Sequence, residues 1–136
     1  TLMSHLLTTY DLLTLAEQND TVRVAGALHS VFGTNAFTDV TLDKSSKDIL
    51  LTVASTESLR LVELFSTVNR PTALENMCGN KVTSLPLTDG SECLVTQEEF
   101  DSLCVIEAAN LHEQKSLDKY PNLSRLWATV YHKIDN

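Results

Sequence analysis

One stretch near the carboxyl end, residues 96–111, limits the possible folds of this chain more than any other. It opens with Thr96 and Glu99, whose spacing predicts a helix-capping box in which each side chain satisfies the other residue's free backbone N–H. The main stripe of the predicted helix contains Phe100, Leu103, Cys104, Glu107 and Leu111, and Val105 and Ile106 lie beside it, so apolar residues cover almost every side. A helix that is apolar over most of its girth must be covered by other elements. The sequence therefore predicts a helical domain with this helix inside it.

Four other segments show the apolar spacing of amphipathic helices. They are residues 2–17, residues 21–32, the segment from Ser55 to Asn69, and the segment that begins at Pro121. The last of these has the most regular apolar stripe, made of Leu123, Leu126, Trp127, Val130, Tyr131 and Ile134. Proline is well tolerated in the first turn of a helix, so Pro121 suits the predicted start.

Residues 37–54 have a different pattern and predict a β-hairpin. Val40 and Leu42 alternate with polar residues, a Lys-Ser-Ser-Lys turn follows, and a second apolar run comes after the turn. Residues 72–78 predict a helical turn or more, whereas residues 85–90 predict a loop. Only four glycines and three prolines are present, too few turn formers for an all-β sandwich. The predicted fold class is therefore mainly α, with a small β element.

Charge and length exclude several functional classes. The 136 residues suit one domain, and they include 18 acidic against 10 basic residues, for a formal net charge of -8. This balance provides no basic footprint for nucleic acid or for an anionic membrane surface. No apolar run approaches the roughly 20 residues of a membrane span. The three cysteines lack any CxxC pairing, which argues against a disulfide framework or a zinc site and favours reduced thiols in a cytoplasmic protein.

No familiar arrangement of catalytic or metal-binding residues is present. The four histidines, His5, His29, His112 and His132, show neither HxxxH nor HExxH spacing, and they are interpreted as residues of helix surfaces or edges. The chain has no phosphate-binding P-loop, no GxGxxG and no GxSxG motif. The sequence therefore predicts no catalytic residue, no cofactor and no metal, although a Cys–His nucleophile pair could still be assembled by the fold.

Between residues 89 and 107 six acidic residues follow one another without an intervening base. They are Asp89, Glu92, Glu98, Glu99, Asp101 and Glu107. Such a block could supply paired catalytic carboxylates, a docking surface for a basic partner, or a solvated helix face with capping charges. The last interpretation is the most common for runs of this kind.

Arg125 and Trp127 are the candidate partner-binding residues. An arginine on an amphipathic helix is often simply exposed, but arginine is also enriched among the residues that dominate protein interfaces. Trp127 is the only tryptophan in the chain. A tryptophan on an apolar stripe is more often in the core than at an interface, so both interpretations stay open for Trp127.

Two motifs in the last third of the chain resemble the carboxyl-terminal domain of glutathione transferases (GST). Residues 92–103 are similar to its short capping box of a hydrophobic residue, Ser or Thr, two variable residues and Asp, with Glu99 in the Asp position. Residues 119–127 are similar to the Tyr/Phe-Pro-x-hydrophobic-x-Arg-Trp start of its next helix, although Leu126 stands between the arginine and Trp127. The resemblance implies a GST C-terminal-like helical bundle.

The resemblance also implies a domain organisation. The whole chain, residues 1–136, would be a single GST-like domain. Residues 1–54 would be a reduced N-terminal α/β part left from the thioredoxin-like half, and residues 55–136 would be the helical part. The glutathione-binding residues of active transferases lie in the thioredoxin-like half, and no counterpart is identified in this chain.

The similarity is greatest to the catalytically silent GST-like domains of aminoacyl-tRNA synthetases and of the cofactors of multisynthetase complexes. It implies a non-catalytic scaffold that docks synthetases or translation factors through helix faces. The partner would be another GST-like domain, in a homodimer or a heterodimer, with no direct binding of nucleic acid or membrane. Arg125 matches the arginine that stacks at the partner interface in several of these domains. Two alternatives stand beside this hypothesis: a minimal glutathione-dependent transferase, and an acidic inhibitor that mimics nucleic acid.

Overall fold

We describe residues 2–33, 52 and 54–131 of the chain from a computed structural model. This part of the chain is mainly helical, as the sequence predicted. Its α-helices are α1 (Leu2–Leu15), α2 (Asp20–Gly33), α3 (Thr56–Thr67), α4 (Thr72–Met77), α5 (Gln97–Glu113) and α6 (Pro121–Tyr131). Two short strands, β1 (Ser84–Pro86) and β2 (Glu92–Leu94), lie between α4 and α5, and a 3-10 turn (Leu117–Lys119) precedes α6.

The small antiparallel sheet formed by β1 and β2 includes the first two residues of the predicted loop over residues 85–90. Ser84 pairs with Leu94, and Pro86 pairs with Glu92. The chain reverses between the strands at Gly90, whose φ of 90° is a conformation that favours glycine. The prediction of a loop over residues 85–90 was therefore wrong at its start, because so short a strand shows almost no alternation. The hairpin predicted over residues 37–54 lies outside the described residues, apart from positions 52 and 54.

Helix α5 lies at the centre of the described part of the protein. Every residue from Leu103 to Leu111 is buried, and α1, α2, α3, α4 and α6 all contact this helix. One cluster of buried apolar side chains extends from Leu13 in α1 to Trp127 in α6. The enclosure predicted from the apolar girth of residues 100–111 is thus confirmed. Among the described residues, no helix combines the length and apolar character needed to cross a membrane.

Short polar side chains determine where the helices begin. The Thr96 hydroxyl accepts a hydrogen bond from the Glu99 backbone N–H at 3.0 Å, and the Glu99 carboxylate accepts one from the Thr96 N–H at 2.8 Å. This is the predicted capping box at the start of α5. Ser55 caps α3 in a simpler way, by accepting the N–H of Ser58 at 3.0 Å.

Helices α1 and α2 approach each other closely at Gly26. A Cβ atom added to Gly26 would overlap the Cδ1 atom of Leu13 and would lie 3.5 Å from the Cγ2 atom of Thr9. Leu13 and Thr9 are both fully buried, so the end of the Leu13 side chain would have to shift within the packed core to make room. The absence of a side chain at Gly26 is therefore what sets the separation of α1 and α2.

We expect Gly26→Ala to lower the free energy of unfolding by about 1–3 kcal/mol, because overpacking outweighs the better helix propensity of alanine. Urea denaturation of the purified chain measures this change. The double variant Leu13→Ala, Gly26→Ala should lose less than the sum of the two single losses, since the shortened Leu13 leaves room for the new methyl group. A Gly26→Ala protein that is as stable as the wild type would contradict this account of the contact.

Candidate functional site

A groove beside α6 contains one of the two candidate partner-binding residues, and we call it the Arg125 groove. It has a volume of about 450 Å³ and is formed by the end of α4, one side of α5 and one side of α6. Its lining residues are Cys78, Gly79, Phe100, Asp101, Cys104, Val105, Asn122, Arg125, Leu126 and Thr129. Most of these side chains are apolar or only weakly polar, and Arg125 is the only base among them.

Arg125 is exposed at the edge of this groove. Its guanidinium donates a hydrogen bond to the Asn122 side-chain oxygen, 3.3 Å away and one turn earlier in α6. No acidic side chain forms a salt bridge with Arg125 among the residues that the structure describes. Apart from the bond to Asn122, the N–H groups of this guanidinium therefore remain able to donate hydrogen bonds to a binding partner.

Glu75 holds the beginning of α6, and with it Arg125, against α4. The Glu75 carboxylate accepts the backbone N–H groups of Asn122 and Leu123, both at 2.9 Å, and the Glu75 backbone carbonyl accepts the Asn122 side-chain amide at 2.9 Å. The first N–H groups of a helix have no partner within the helix, and a negative charge there is favourable. Glu75 thus caps α6 from a distant part of the chain and fixes one wall of the Arg125 groove.

Trp127, the other candidate, lies in the core. Only 4% of its surface is exposed, its ring stacks on Tyr131 at a centroid distance of 5.1 Å, and the His112 ring lies 5.7 Å from it. Arg125 and Trp127 therefore do not share one exposed surface, and in this conformation Trp127 offers little area to a partner. The capping pair Thr96 and Glu99 does not line the Arg125 groove.

Two cysteine thiols meet at the Arg125 groove, a feature that the sequence did not reveal. Cys78, which is half-buried at the end of α4, donates a hydrogen bond to the Asn122 carbonyl oxygen at 3.8 Å and lines the groove together with the buried Cys104 of α5. Burial raises the pKa of both thiols, so both are mainly protonated at neutral pH. Cys93 lies apart from them, on β2, near the Arg60 guanidinium.

The acidic block of residues 89–107 does not form one surface. Glu107 is completely buried, and its carboxylate lies 3.2 Å from the Arg70 guanidinium and accepts the Asn110 side-chain amide at 3.1 Å. The interpretation of the block as a solvated helix face was therefore wrong for Glu107. Arg70 is held in turn by the Phe65 carbonyl at 2.8 Å, and its guanidinium lies 3.8 Å from the centre of the Phe65 ring.

Glu99 has a second partner besides its capping box. The Arg60 guanidinium donates to its carboxylate at 3.2 Å and to the Leu94 carbonyl at 2.9 Å, which joins α3 to the end of β2 and the start of α5. Burial tends to raise the pKa of Glu99, but the hydrogen bonds from Thr96 and Arg60 outweigh it, so the pKa lies below its ordinary value. Sequence spacing gave no sign of this long-range pair.

A second groove, which we call the acidic groove, lies on the other side of this pair. It has a volume of about 430 Å³ and is bordered by the starts of α2, α3 and α5. Glu57, Glu98 and Glu99 line it together with Arg60, above the apolar side chain of Leu61. Part of the acidic block thus borders a cavity, while Glu107 is deep in the core.

The histidines do not form a metal site in the part of the chain that is described. His29 is buried, which differs from the predicted surface or edge position, and its ring packs edge-on against Phe65 at 4.9 Å. His112 is exposed beside Trp127. Among the described residues, no three His, Cys, Asp or Glu side chains are grouped so that they could hold a metal ion. The side chains of His5 and His132 lie outside the described residues.

Comparison with known proteins identifies a family without a known role. The family model described as Domain of unknown function (DUF6817) matches residues 1–70. No curated protein and no solved structure matches the chain. The matched segment includes α1, α2 and α3 and ends at Arg70, the partner of the buried Glu107.

We expect Glu107→Leu to lower the free energy of unfolding by about 3 kcal/mol, because the Arg70 guanidinium then loses its buried counter-charge. Urea denaturation followed by circular dichroism measures the loss. The double variant Arg70→Met, Glu107→Leu should be more stable than Glu107→Leu alone, because no unpaired charge remains. If the double variant is less stable than Glu107→Leu alone, the unpaired charge of Arg70 is not the cause of the lost stability.

The lowered pKa of Glu99 makes part of the stability depend on pH. The contribution of Glu99 is present above the ordinary glutamate pKa of 4.5 and is lost as the pH falls through the lower pKa of the folded state. Wild type should therefore exceed Glu99→Gln in unfolding free energy by a constant margin of about 1 kcal/mol near neutral pH. Unfolding curves collected between about pH 7 and pH 3 should show this margin shrinking below pH 4.5.

The neighbouring exposed residue Glu98 provides the matched control for this measurement. Glu98→Gln removes the same charge from the first turn of α5 but leaves the capping box and the Arg60 contact in place. The difference in unfolding free energy between the wild type and Glu98→Gln should be smaller than the difference for Glu99→Gln near neutral pH. A margin for Glu99→Gln that does not change with pH would show that the carboxylate charge plays no part.

Proposed function

This chain belongs to the family described as Domain of unknown function (DUF6817), and we propose that its function is to bind another protein through the Arg125 groove rather than to catalyse a reaction. The observation that carries the proposal is the exposed guanidinium of Arg125 at the edge of an apolar groove. Interface energy is often concentrated in an arginine or aromatic side chain that is surrounded by apolar contacts and shielded from water by them. Such an arrangement provides an anchor, whereas it supplies no nucleophile paired with a base.

The geometry of the groove suits docking in two further respects. Residues of α5 and α6 and of the end of α4 form its walls, and the fully buried Phe100 lies at its floor, so the floor is part of the packed core. Because Glu75 caps α6 from α4, the position of Arg125 is set before any partner arrives. A preformed site loses less conformational entropy on binding than a mobile one.

For the partner, the proposal relies on the resemblance to GST-like domains. We propose a GST-like domain of an aminoacyl-tRNA synthetase, of a multisynthetase cofactor or of a translation factor, bound in the cytoplasm as a heterodimer or homodimer. Arg125 matches the interface arginine of that family, and a standard interface buries about 800 Å² on each partner. The net charge of -8 is consistent with a protein partner and opposes direct contact with nucleic acid.

Arg125→Ala should weaken partner binding by at least about tenfold while changing the free energy of unfolding by less than about 0.5 kcal/mol. The measurement is affinity capture from the native lysate with the wild type and the variant as parallel baits, followed by quantitative mass spectrometry. Lys119→Ala is the matched control, because Lys119 is an exposed cation just before α6 that does not line the groove. A synthetase or translation factor should be enriched by the wild type and by Lys119→Ala, but not by Arg125→Ala.

Two results would contradict the proposal. One is equal recovery of every partner by Arg125→Ala and wild type. The other is robust conjugation of glutathione to an electrophile by the purified chain, which would instead support the minimal transferase considered from the sequence.

A further inference from the structure

The thiols of Cys78 and Cys104 are positioned for a reaction with each other. They come from two helices that contact each other, they line the same groove, and each thiol influences the pKa of the other. Cys104 lies in the middle of the enclosed helix α5, whereas Cys78 follows the last residue of α4. The next residue, Gly79, is exposed and has a φ of 88°, so the chain leaves the helix at this point.

We propose that Cys78 and Cys104 are a redox-modification site, at which a hydroperoxide converts the two thiols into an intramolecular disulfide bond. Cys78 is the entry point, because it is half-buried at the groove whereas only 1% of Cys104 is exposed. The modification would tie the end of α4 to α5 at the Arg125 groove. The inference stands apart from the proposed function, because the bond can be detected without any partner.

The reaction has two balanced steps. The Cys78 thiolate attacks one oxygen of the hydroperoxide, the O–O bond breaks, and the leaving alkoxide takes up a proton to become an alcohol. Cys78 is then a sulfenic acid. Cys104 gives up its proton, its sulfur attacks the Cys78 sulfur, and the departing hydroxide takes up a proton to become water. In sum, two thiols lose two electrons and an alkyl hydroperoxide is reduced to alcohol and water, whereas hydrogen peroxide, with hydroxide as the first leaving group, is reduced to two waters.

The surroundings determine how the rate depends on pH. Burial raises the pKa of Cys78, and the carboxylates of Glu75 and Asp101 raise it further, whereas Cys104 and the Arg125 guanidinium lower it without reversing the shift. Burial raises the pKa of Cys104 most, and Cys78, Asp101 and Glu107 raise it further. Because only the thiolate attacks peroxide, oxidation should be slow at neutral pH and should accelerate roughly tenfold per pH unit above it.

The test treats the reduced, folded chain with hydrogen peroxide at about pH 8. Samples are quenched, denatured, alkylated with N-ethylmaleimide and weighed by intact mass spectrometry. The untreated chain should carry three maleimide adducts, because it has three cysteines. The oxidised chain should carry one adduct and should be two hydrogens lighter before alkylation. A non-reducing peptide map should then join the peptide of Cys78 to that of Cys104.

The third cysteine supplies the matched control. Cys93→Ser should still form the bond and end with no maleimide adduct, whereas Cys78→Ser should not form it. Cys78→Ser replaces a half-buried thiol, so its fold can be checked by circular dichroism, and this variant suffices if Cys104→Ala does not fold. The proposal is overturned if the wild type keeps three reactive thiols under conditions that fully oxidise added glutathione. It is also overturned if the mapped bond involves Cys93 or joins two copies of the chain.

Discussion

Helix α5 can occupy the centre of this protein because its one buried carboxylate has a partner. Glu107 lies among apolar residues on every side of the helix, where an unpaired charge would cost several kcal/mol. Arg70 neutralises it from the segment that follows α3, and the side-chain amide of Asn110 supplies a further donor. Arg70 is itself held by the carbonyl and the ring of Phe65. The Arg70–Glu107 pair thus allows α5 to be buried, and it also holds the segment after α3 against α5.

Similar polar contacts link the other helices across long stretches of sequence. Glu75 of α4 caps the beginning of α6, and Arg60 of α3 joins the capping box of α5 through Glu99. In both cases an acidic side chain satisfies backbone N–H groups at the start of a helix, where the helix dipole favours negative charge. Much of the acidic excess near the carboxyl end therefore serves helix starts and the core. The -8 net charge alone does not indicate a basic partner.

These contacts determine the shape of the Arg125 groove. Its walls are fixed by the Glu75 cap, its floor belongs to the enclosed helix α5, and its edge carries an exposed guanidinium. The same walls bring Cys78 and Cys104 together, so the proposed docking surface and the proposed oxidation site share one place in the fold. Membership of the DUF6817 family rests on residues 1–70, whereas this groove is built from the other half of the chain.

The sequence by itself determined where most helices lie and how α5 begins. Helical periodicity and the Thr96–Glu99 box involve residues only three or four positions apart, so local spacing is enough to predict them. The tertiary structure alone decided that Glu107 pairs with Arg70, that Trp127 lies in the core and not at an exposed surface, and that Cys78 and Cys104 line one groove. It also turned part of an expected loop into the β1–β2 sheet. These features depend on which helix faces and strand edges meet, and their partners lie far apart along the chain, beyond the reach of any local pattern.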